Sequence, residues 1–167
     1  MERSSLEQIV RGLNDEGVRY LLVGGLAVAA HGYLRFTADV DIVMDLEAEN
    51  LRRGLAVFRR LGYRPRAPVP IEDFADEAKR RSWVEEKNLK VFSLYSAEHR
   101  ATEVDVFVEA PFDFAAAYPD ALVEPVAEGV AARFVDYRRL VVLKERAGRP
   151  RDLDDLARLR EIRGDSR

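Results

Sequence analysis

The sequence predicts an α+β fold in which a mixed β-sheet is flanked by helices and is followed by a C-terminal helical hairpin. Short apolar stretches typical of strands alternate, over residues 18–109, with stretches whose apolar residues recur at helical spacing. Residues 136–164 show helical patterns only. A length of 167 residues with 47% hydrophobic residues suits one domain over 1–167 with one core.

The N-terminal half predicts alternating helices and strands. The first helix has a serine at its start, an apolar stripe at helical spacing and a glycine at its end. Three prolines break the last part of this half, which therefore predicts a loop. The elements are, in order, a helix over 4–17, a strand over 18–24, a short helix over 24–33, a strand over 38–45, a helix over 47–61 and the loop over 63–74.

The C-terminal half predicts two strands followed mainly by helices. Residues 89–96 and 102–109 alternate between apolar and polar side chains, as paired strands do. Residues 111–130 contain a short helix, a turn and a further strand pattern. Two helices over 134–148 and 149–164 are separated by Gly148 and Pro150, which suits a helical hairpin.

The composition excludes several classes of protein. The net charge of −3 and the pI of about 5.6 do not fit a module that binds nucleic acid by bulk positive charge, although a local basic patch is compatible with 27 Lys and Arg. The absence of cysteine excludes disulfides and thiolate chemistry. The start has no signal-peptide pattern and no apolar stretch is long enough for a membrane span, so we expect a cytoplasmic protein without membrane contact.

Three aspartates are the strongest candidates for a chemical function. Asp39 and Asp41 lie two residues apart on a predicted strand and therefore point to the same face. Asp105 lies between valines on a later predicted strand. If the two strands are neighbours, the three carboxylates converge, and a divalent metal such as Mg²⁺ would stabilise them. A solvated strand edge is the alternative for an isolated Asp-x-Asp pattern.

A glycine pair precedes these aspartates at the predicted junction of a strand and a helix. Gly24 and Gly25 end the strand over 18–24 and begin the short helix. Backbone N–H groups at such a junction can bind phosphate, and glycine allows close approach. An ordinary tight turn is the alternative. Together with the carboxylates, the pair supplies the groups that a nucleoside triphosphate requires.

With these residues in place, the sequence resembles the nucleotidyltransferase superfamily, which has a polymerase-beta-like fold. The likeness is greatest over 20–45, extends to 102–108 and 140–160, and is missing from 46–100. More narrowly, the sequence is similar to small bacterial nucleotidyltransferases of the AbiEii toxin type. The residues that carry the likeness are Gly24, Gly25, His31, Gly32, Arg35, Thr37, Asp39, Asp41, Asp105, Lys144, Arg149, Asp152 and Asp155.

The resemblance implies roles for these residues. The three aspartates Asp39, Asp41 and Asp105 would be catalytic and would hold Mg²⁺ or Mn²⁺, with Asp105 also acting as general base. Five residues would bind the nucleotide: Gly24 and Gly25 through backbone amides, Lys144 through its charge, and Arg35 and Thr37 nearby. For Lys144 a solvated helix lysine is an equal alternative, and for Arg35 a contact with a neighbouring acid is the alternative to a phosphate contact.

The implied activity is transfer of a nucleoside monophosphate from an NTP to an acceptor hydroxyl on tRNA, a protein or a small molecule. The AbiEii likeness also implies a toxin that is paired with an antitoxin protein. Two alternatives stay open: a catalytically inactive nucleotide-binding or interaction module on the same fold, and a structural protein whose strand acids pair with arginines. All three expected acids are present, which favours the enzyme.

Other polar residues favour ordinary structural roles. For Arg149, Asp152 and Asp155 the resemblance implies that they shape the nucleotide pocket, but a helix N-cap and surface pairs are the simpler explanation. We expect His31 to be partly buried with a hydrogen-bond partner, with a substrate contact as the alternative, and His99 to be exposed. The run over 79–83, KRRSW, suggests either a nucleic-acid contact or, more simply, a solvated loop with one packed aromatic.

Overall fold

The computed structural model describes residues 1–164 and contains, in that range, one sheet of seven strands. The strands are β1 (Tyr20–Leu22), β2 (Asp39–Met44), β3 (Tyr63–Pro65), β4 (Val91–Ser96), β5 (Glu103–Phe107), β6 (Leu122–Ala127) and β7 (Val130–Phe134). Their order across the sheet is β3-β4-β5-β2-β1-β7-β6. The strands that carry the three aspartates, β2 and β5, are parallel neighbours near the middle of the sheet.

Most of the helices fall into two packed groups. The helices are α1 (Arg3–Asp15), α2 (Gly24–Ala30), α3 (Ala48–Arg60), a 3₁₀ helix (Ile71–Ala75), α4 (Glu77–Lys87), α5 (Phe114–Ala117), α6 (Tyr137–Ala147) and α7 (Pro150–Arg163). Helix α3 contacts α1 and the 3₁₀ helix, which in turn contacts α4. Helix α6 contacts α2 and α7. The predicted mixed sheet with flanking helices and a C-terminal helical hairpin is therefore confirmed.

Alternate side chains of β2 point to opposite faces of the sheet, each of which is covered by one of these groups of helices. Val40, Ile42 and Met44 are fully buried, and Met44 packs so closely on Gly54 of α3 that a Cβ at this glycine would overlap its side chain. The intervening positions point to the opposite face, where α2 lies against β2. The side chains of Val40, Ile42 and Met44 therefore pack in the core on one face of β2, while Asp39 and Asp41 lie on the other face.

Several sequence-based boundaries need correction in the middle of the chain. The predicted loop over 63–74 contains the short strand β3, which pairs with β4, and most of the 3₁₀ helix. The run over 79–83 lies in α4, a helix that the sequence analysis did not identify. The further strand pattern within 111–130 corresponds to β6, whereas β7, which pairs with β6 as a hairpin, continues over 131–133, for which the sequence predicted no element. No helix within residues 1–164 is long and apolar enough to cross a membrane.

Candidate active site

Asp41 and Asp105 lie directly opposite each other on the paired parallel strands β2 and β5. Both side chains line one cavity of about 430 Å³, together with Gly24, Lys144 and Arg149. The two strands are held in this register by buried neighbours on their other face, so the carboxylates cannot separate without disturbing the core. The adjacency of these two strands, which the sequence analysis made the condition for the carboxylates to converge, is therefore found.

Burial and mutual repulsion perturb the two carboxylates. Burial, reinforced by the charges of Asp105 and Asp39, raises the pKa of Asp41 to about 6. Burial also raises the pKa of Asp105, and a hydrogen bond from the Ser93 hydroxyl (2.6 Å) opposes this effect. Two carboxylates whose ionised forms are disfavoured in this way are suited to bind a cation or to accept a proton.

Gly24 makes room for the Asp41 carboxylate. Its φ of +59° lies in the left-handed region, which favours glycine, and a Cβ at this position would overlap the carboxylate of Asp41. The glycine at the start of α2 is therefore required by the carboxylate on β2, whether or not a phosphate binds there.

The second glycine, Gly25, supports the loop before β2. A Cβ here would lie 2.7 Å from Thr37 Oγ1 and 3.0 Å from Arg35 Nη1, so both side chains pack on the bare glycine. The Arg35 guanidinium then forms two hydrogen bonds with the Asp155 carboxylate, at 2.6 and 2.9 Å. Arg35 thus contacts a neighbouring acid, which was one of its two sequence-based interpretations.

A chain of five alternating charges connects this loop to the C-terminal helices. Asp155 binds Arg35 and also Lys144 Nζ (2.8 Å). Lys144 Nζ contacts Asp152 at 2.8 Å, and Asp152 in turn accepts a hydrogen bond from Arg149 Nε at 2.7 Å. Both aspartates are buried, at 2% or less relative exposure, as is Lys144 at 5%. Three cations neutralise the two buried acids completely.

Three interpretations are therefore wrong in detail. Asp152 and Asp155 are buried network members and not surface pairs, and the N-cap of α7 is Arg149. Lys144 is not a solvated helix lysine. Although burial acts to raise the pKa of Asp152, its hydrogen bonds from Arg149 and Lys144 outweigh that effect and hold this pKa below its ordinary value. An ammonium has three donors, so one N–H of Lys144 is not used by the two aspartates.

Asp39 differs from the other two predicted acids because it is exposed and lies opposite Glu103 rather than in the cavity lining. Within residues 1–164, no three Asp, Glu, His or Cys side chains are close enough to hold a metal as they stand. The donor chemistry nevertheless fits Mg²⁺, since two paired carboxylates are hard oxygen ligands and this ion often takes its remaining ligands from water and substrate phosphates.

The two histidines have structural contacts. His31 is half-buried and its Nε2 lies 2.9 Å from the Val135 carbonyl oxygen, as expected. The expectation that His99 is exposed is wrong, because it is buried, stacks on Tyr63 with 5.6 Å between ring centroids, and contacts Ser5 Oγ at 2.8 Å. Trp83 packs against Phe92 inside the fold, which leaves it unable to stack on a ligand.

Two residues at the site were missed by the sequence analysis. Ser93 lies on β4 opposite Asp105 and donates its hydroxyl hydrogen to that carboxylate. Lys90 precedes β4 and adds a further cation to the cavity lining. The alternation of residues 89–96 predicted this strand. Only the register of the β4–β5 pair shows that the Ser93 hydroxyl lies beside the Asp105 carboxylate.

The fold is that of known nucleotidyltransferases. The crystal structure of ANT(2″)-Ia in complex with adenylyl-2″-tobramycin matches with a TM-score of 0.61 and 14% identity, over 96% of this chain and 88% of the other. A solution structure of the antibiotic-resistance factor ANT(2″)-Ia gives a TM-score of 0.59, 15% identity, and coverage of 96% and 83%. At this identity the likeness shows a nucleotidyltransferase-like fold.

A more remote structural match adds nothing to that conclusion. Terminal uridylyl transferase 4 from Trypanosoma brucei with bound GTP has a TM-score of 0.31 and 16% identity, over 59% of this chain and 27% of the other. No protein-family model and no curated protein sequence matches the chain.

Proposed function

We propose that this protein is a nucleotidyltransferase that moves a nucleoside monophosphate from an NTP to an acceptor hydroxyl. The observation that carries the proposal is the pair Asp41 and Asp105, set face to face on β2 and β5 in a cavity that Lys144, Lys90 and Arg149 also line. Carboxylates for catalysis and cations for phosphates occur there together. The fold that holds them matches ANT(2″)-Ia, whose crystal structure contains an adenylylated acceptor.

Asp105 is the proposed general base. The acceptor oxygen forms a bond with the α-phosphorus, the bond from that phosphorus to the β-phosphate oxygen breaks, and pyrophosphate leaves with the electron pair. The hydroxyl proton passes to Asp105, whose raised pKa makes it a better base than an ordinary aspartate. Ser93 orients this carboxylate through its 2.6 Å hydrogen bond.

Asp41 and Asp105 would hold a divalent metal, with Asp39 as the proposed third acid at the exposed end of β2. When bound, Mg²⁺ or Mn²⁺ would supply positive charge to the phosphates and the acceptor oxygen. The protein's own contribution is to keep two carboxylates together at a fixed register despite their repulsion.

The cations of the cavity would bind the triphosphate. Lys144 retains one free donor after its two aspartate contacts, and Arg149 has a side chain that is 75% exposed. Arg35 and Thr37 would act from the loop that they form over Gly25. The proposal also includes contacts from the backbone amides of Gly24 and Gly25 to phosphate. These contacts rest on the sequence resemblance alone.

The acceptor and the biological role are the finer parts of the proposal. The AbiEii resemblance suggests tRNA as acceptor and a toxin that is controlled by an antitoxin. The fold likeness to ANT(2″)-Ia suggests a small hydroxylated molecule instead. A cytoplasmic location fits either acceptor.

The test measures thermal stability with Mg²⁺ alone, with each NTP alone and with both. We expect a rise in melting temperature that requires both components, because bound ligand stabilises the folded state by mass action. Asp41→Asn should abolish this rise, while Asp154→Asn, which changes an exposed aspartate on α7, should keep it.

The same measurement separates the alternatives. A rise with NTP that is indifferent to Mg²⁺ would favour a catalytically inactive nucleotide-binding module. No rise with any NTP, in a chain that melts cooperatively, would contradict nucleotidyl transfer and favour a protein-interaction role for the fold.

A further inference from the structure

A second and larger cavity lies beside the candidate active site on α6. It measures about 690 Å³, compared with about 430 Å³ for the first cavity, and the two share Leu143 in their linings. The volume is in the range of about 300–1,000 Å³ that encloses small ligands. A group bound in the second cavity would therefore be a direct neighbour of a nucleotide bound in the first.

The lining of this cavity is strongly basic. Four arginines and two aspartates contribute to it: Arg138, Arg139, Arg146, Arg163, Asp120 and Asp136. Both aspartates pair with Arg139, at 3.0 and 2.6 Å. The other three arginines have no carboxylate within 4.0 Å among residues 1–164. We call this cavity, defined by the four arginines, the arginine cleft.

The positive charge of the arginine cleft contrasts with the chain as a whole, whose net charge is −3. Arg138 is exposed, and Arg146 is exposed and donates only to the Pro111 carbonyl oxygen at 3.2 Å. Guanidinium groups that retain free donors are the preferred partners of phosphate. A polycationic acceptor such as an aminoglycoside would be repelled by the same surface.

Aromatic side chains accompany the arginines. Tyr137 and Phe112 line the cleft, and the Arg163 guanidinium lies 3.9 Å from the centre of the Tyr137 ring. Because Arg163 covers the Tyr137 ring, Phe112 is the lining aromatic that remains for a base to stack on, beside arginines that bind phosphates.

We propose that the arginine cleft binds the acceptor and that this acceptor is a single-stranded nucleic acid whose phosphates contact Arg138 and Arg146. This inference rests on the proposed function, because it names the class of acceptor that would react at that site. A terminal ribose offers a hydroxyl next to a phosphate, so anchoring the phosphates in the cleft would present the hydroxyl toward the shared wall at Leu143.

The test is fluorescence anisotropy of a labelled single-stranded RNA oligonucleotide with the full chain over a series of salt concentrations. The Arg138→Glu/Arg146→Glu variant should bind about tenfold more weakly or worse, and the slope of log affinity against log salt should fall by about one to two. The Arg52→Glu/Arg81→Glu variant is the matched control, because it makes the same charge change at exposed positions on α3 and α4. Its affinity should change less than about threefold.

Three readings would overturn the proposal: equal losses in both variants, no binding of RNA by the parent protein, or binding of tobramycin in preference to RNA. The milder Arg138→Gln/Arg146→Gln variant repeats the comparison if the charge reversals prevent folding. A labelled DNA strand of the same sequence distinguishes the two kinds of nucleic acid.

The melting-temperature rise with Mg²⁺ and NTP is measured for every variant alongside the RNA binding. It should be unchanged in both charge-reversal variants, whose residues are outside the nucleotide cavity. If Mg²⁺ and NTP do not raise the melting temperature of the parent protein, the proposed function is contradicted. If they do, but RNA binding does not depend on Arg138 and Arg146, only the proposed acceptor is contradicted.

Discussion

Two pairs of aspartates differ in how their charges are compensated: Asp41 and Asp105, which line the candidate cavity, and Asp152 and Asp155, of which Asp152 lines it. Asp152 and Asp155 on α7 are almost fully buried, yet Arg35, Lys144 and Arg149 neutralise them. Asp41 and Asp105 on the sheet have one hydroxyl donor between them, from Ser93, and their pKa values are raised. The negative charge of the first pair is compensated by cations of the protein, whereas that of the second pair is not fully compensated.

The difference separates the acids that hold the structure from those that, under the proposed function, would serve a ligand. A buried carboxylate that is paired with cations already has its charge compensated, so it gains little from an added metal ion. Carboxylates whose repulsion is only partly offset, as that of Asp41 is by Lys144 and Arg149, gain more from an external cation. The prediction with the largest effect concerns the compensated pair.

Replacing Asp155 with alanine should destabilise the protein by about 3–5 kcal/mol, because Arg35 would lose its carboxylate partner and the buried Lys144 would keep only Asp152. Chemical denaturation measures this free energy of unfolding. Asp154→Ala on the same helix is the control, since Asp154 is exposed and its nearest cation, Arg158, lies 3.9 Å away. A similar small change for both variants would mean that the buried network contributes little.

Replacing Asp41 with asparagine should have the opposite sign and stabilise the metal-free protein by about 1–3 kcal/mol at pH 8. The pKa of Asp41 is raised to about 6 in the folded state, so ionisation above that pH costs stability. The gain should shrink as the pH falls from 6 toward 4 and vanish below the ordinary pKa of aspartate.

The control for this second variant is Asp39→Asn, whose side chain is exposed. It should change the free energy of unfolding by no more than about 0.5 kcal/mol. A loss of stability in Asp41→Asn at pH 8 would show that the carboxylate is structural and would remove the contrast between the two pairs.

The smallest expected effect is that of Ser93→Ala. Removing the hydroxyl that donates to Asp105 should cost about 1 kcal/mol at pH 8, because this hydrogen bond stabilises the ionised carboxylate. The hydrogen bond lowers the pKa of Asp105, so the cost should decrease as falling pH protonates that acid.

Denaturation curves at pH 8 and pH 4 measure the cost of losing the Ser93 hydroxyl. Ser82→Ala is the control, since that hydroxyl donates to Glu86 on the surface of α4. A cost that is independent of pH would assign the effect of Ser93 to packing and not to its hydrogen bond with Asp105.

The sequence was most informative where local pattern decides the structure. The alternation of β2 set which residues reach the core and which face the cavity, and the strand after it in the sheet, β5, was recognised in the same way. The residues from Gly24 to Asp41 were identified as a unit because glycine and acid patterns are visible within a short segment.

Distant pairings were beyond that reasoning. Asp155 appears in the sequence as one of several acids on a charged helix, and only the tertiary structure brings Arg35, 120 residues away, into contact with it. The burial of His99 against Tyr63 was missed for the same reason. Local pattern cannot distinguish a buried charged residue with a remote partner from a solvated one.

The contact between Gly24 and Asp41 also limits how this sequence can change over evolutionary time. Any side chain at position 24 would collide with the carboxylate at position 41 and would need an unfavourable backbone conformation. A lineage that loses the carboxylate would no longer be held to glycine by that collision, whereas one that keeps it must keep the glycine. Among diverging descendants of this chain, we therefore expect the glycine to be substituted only after the aspartate has been lost.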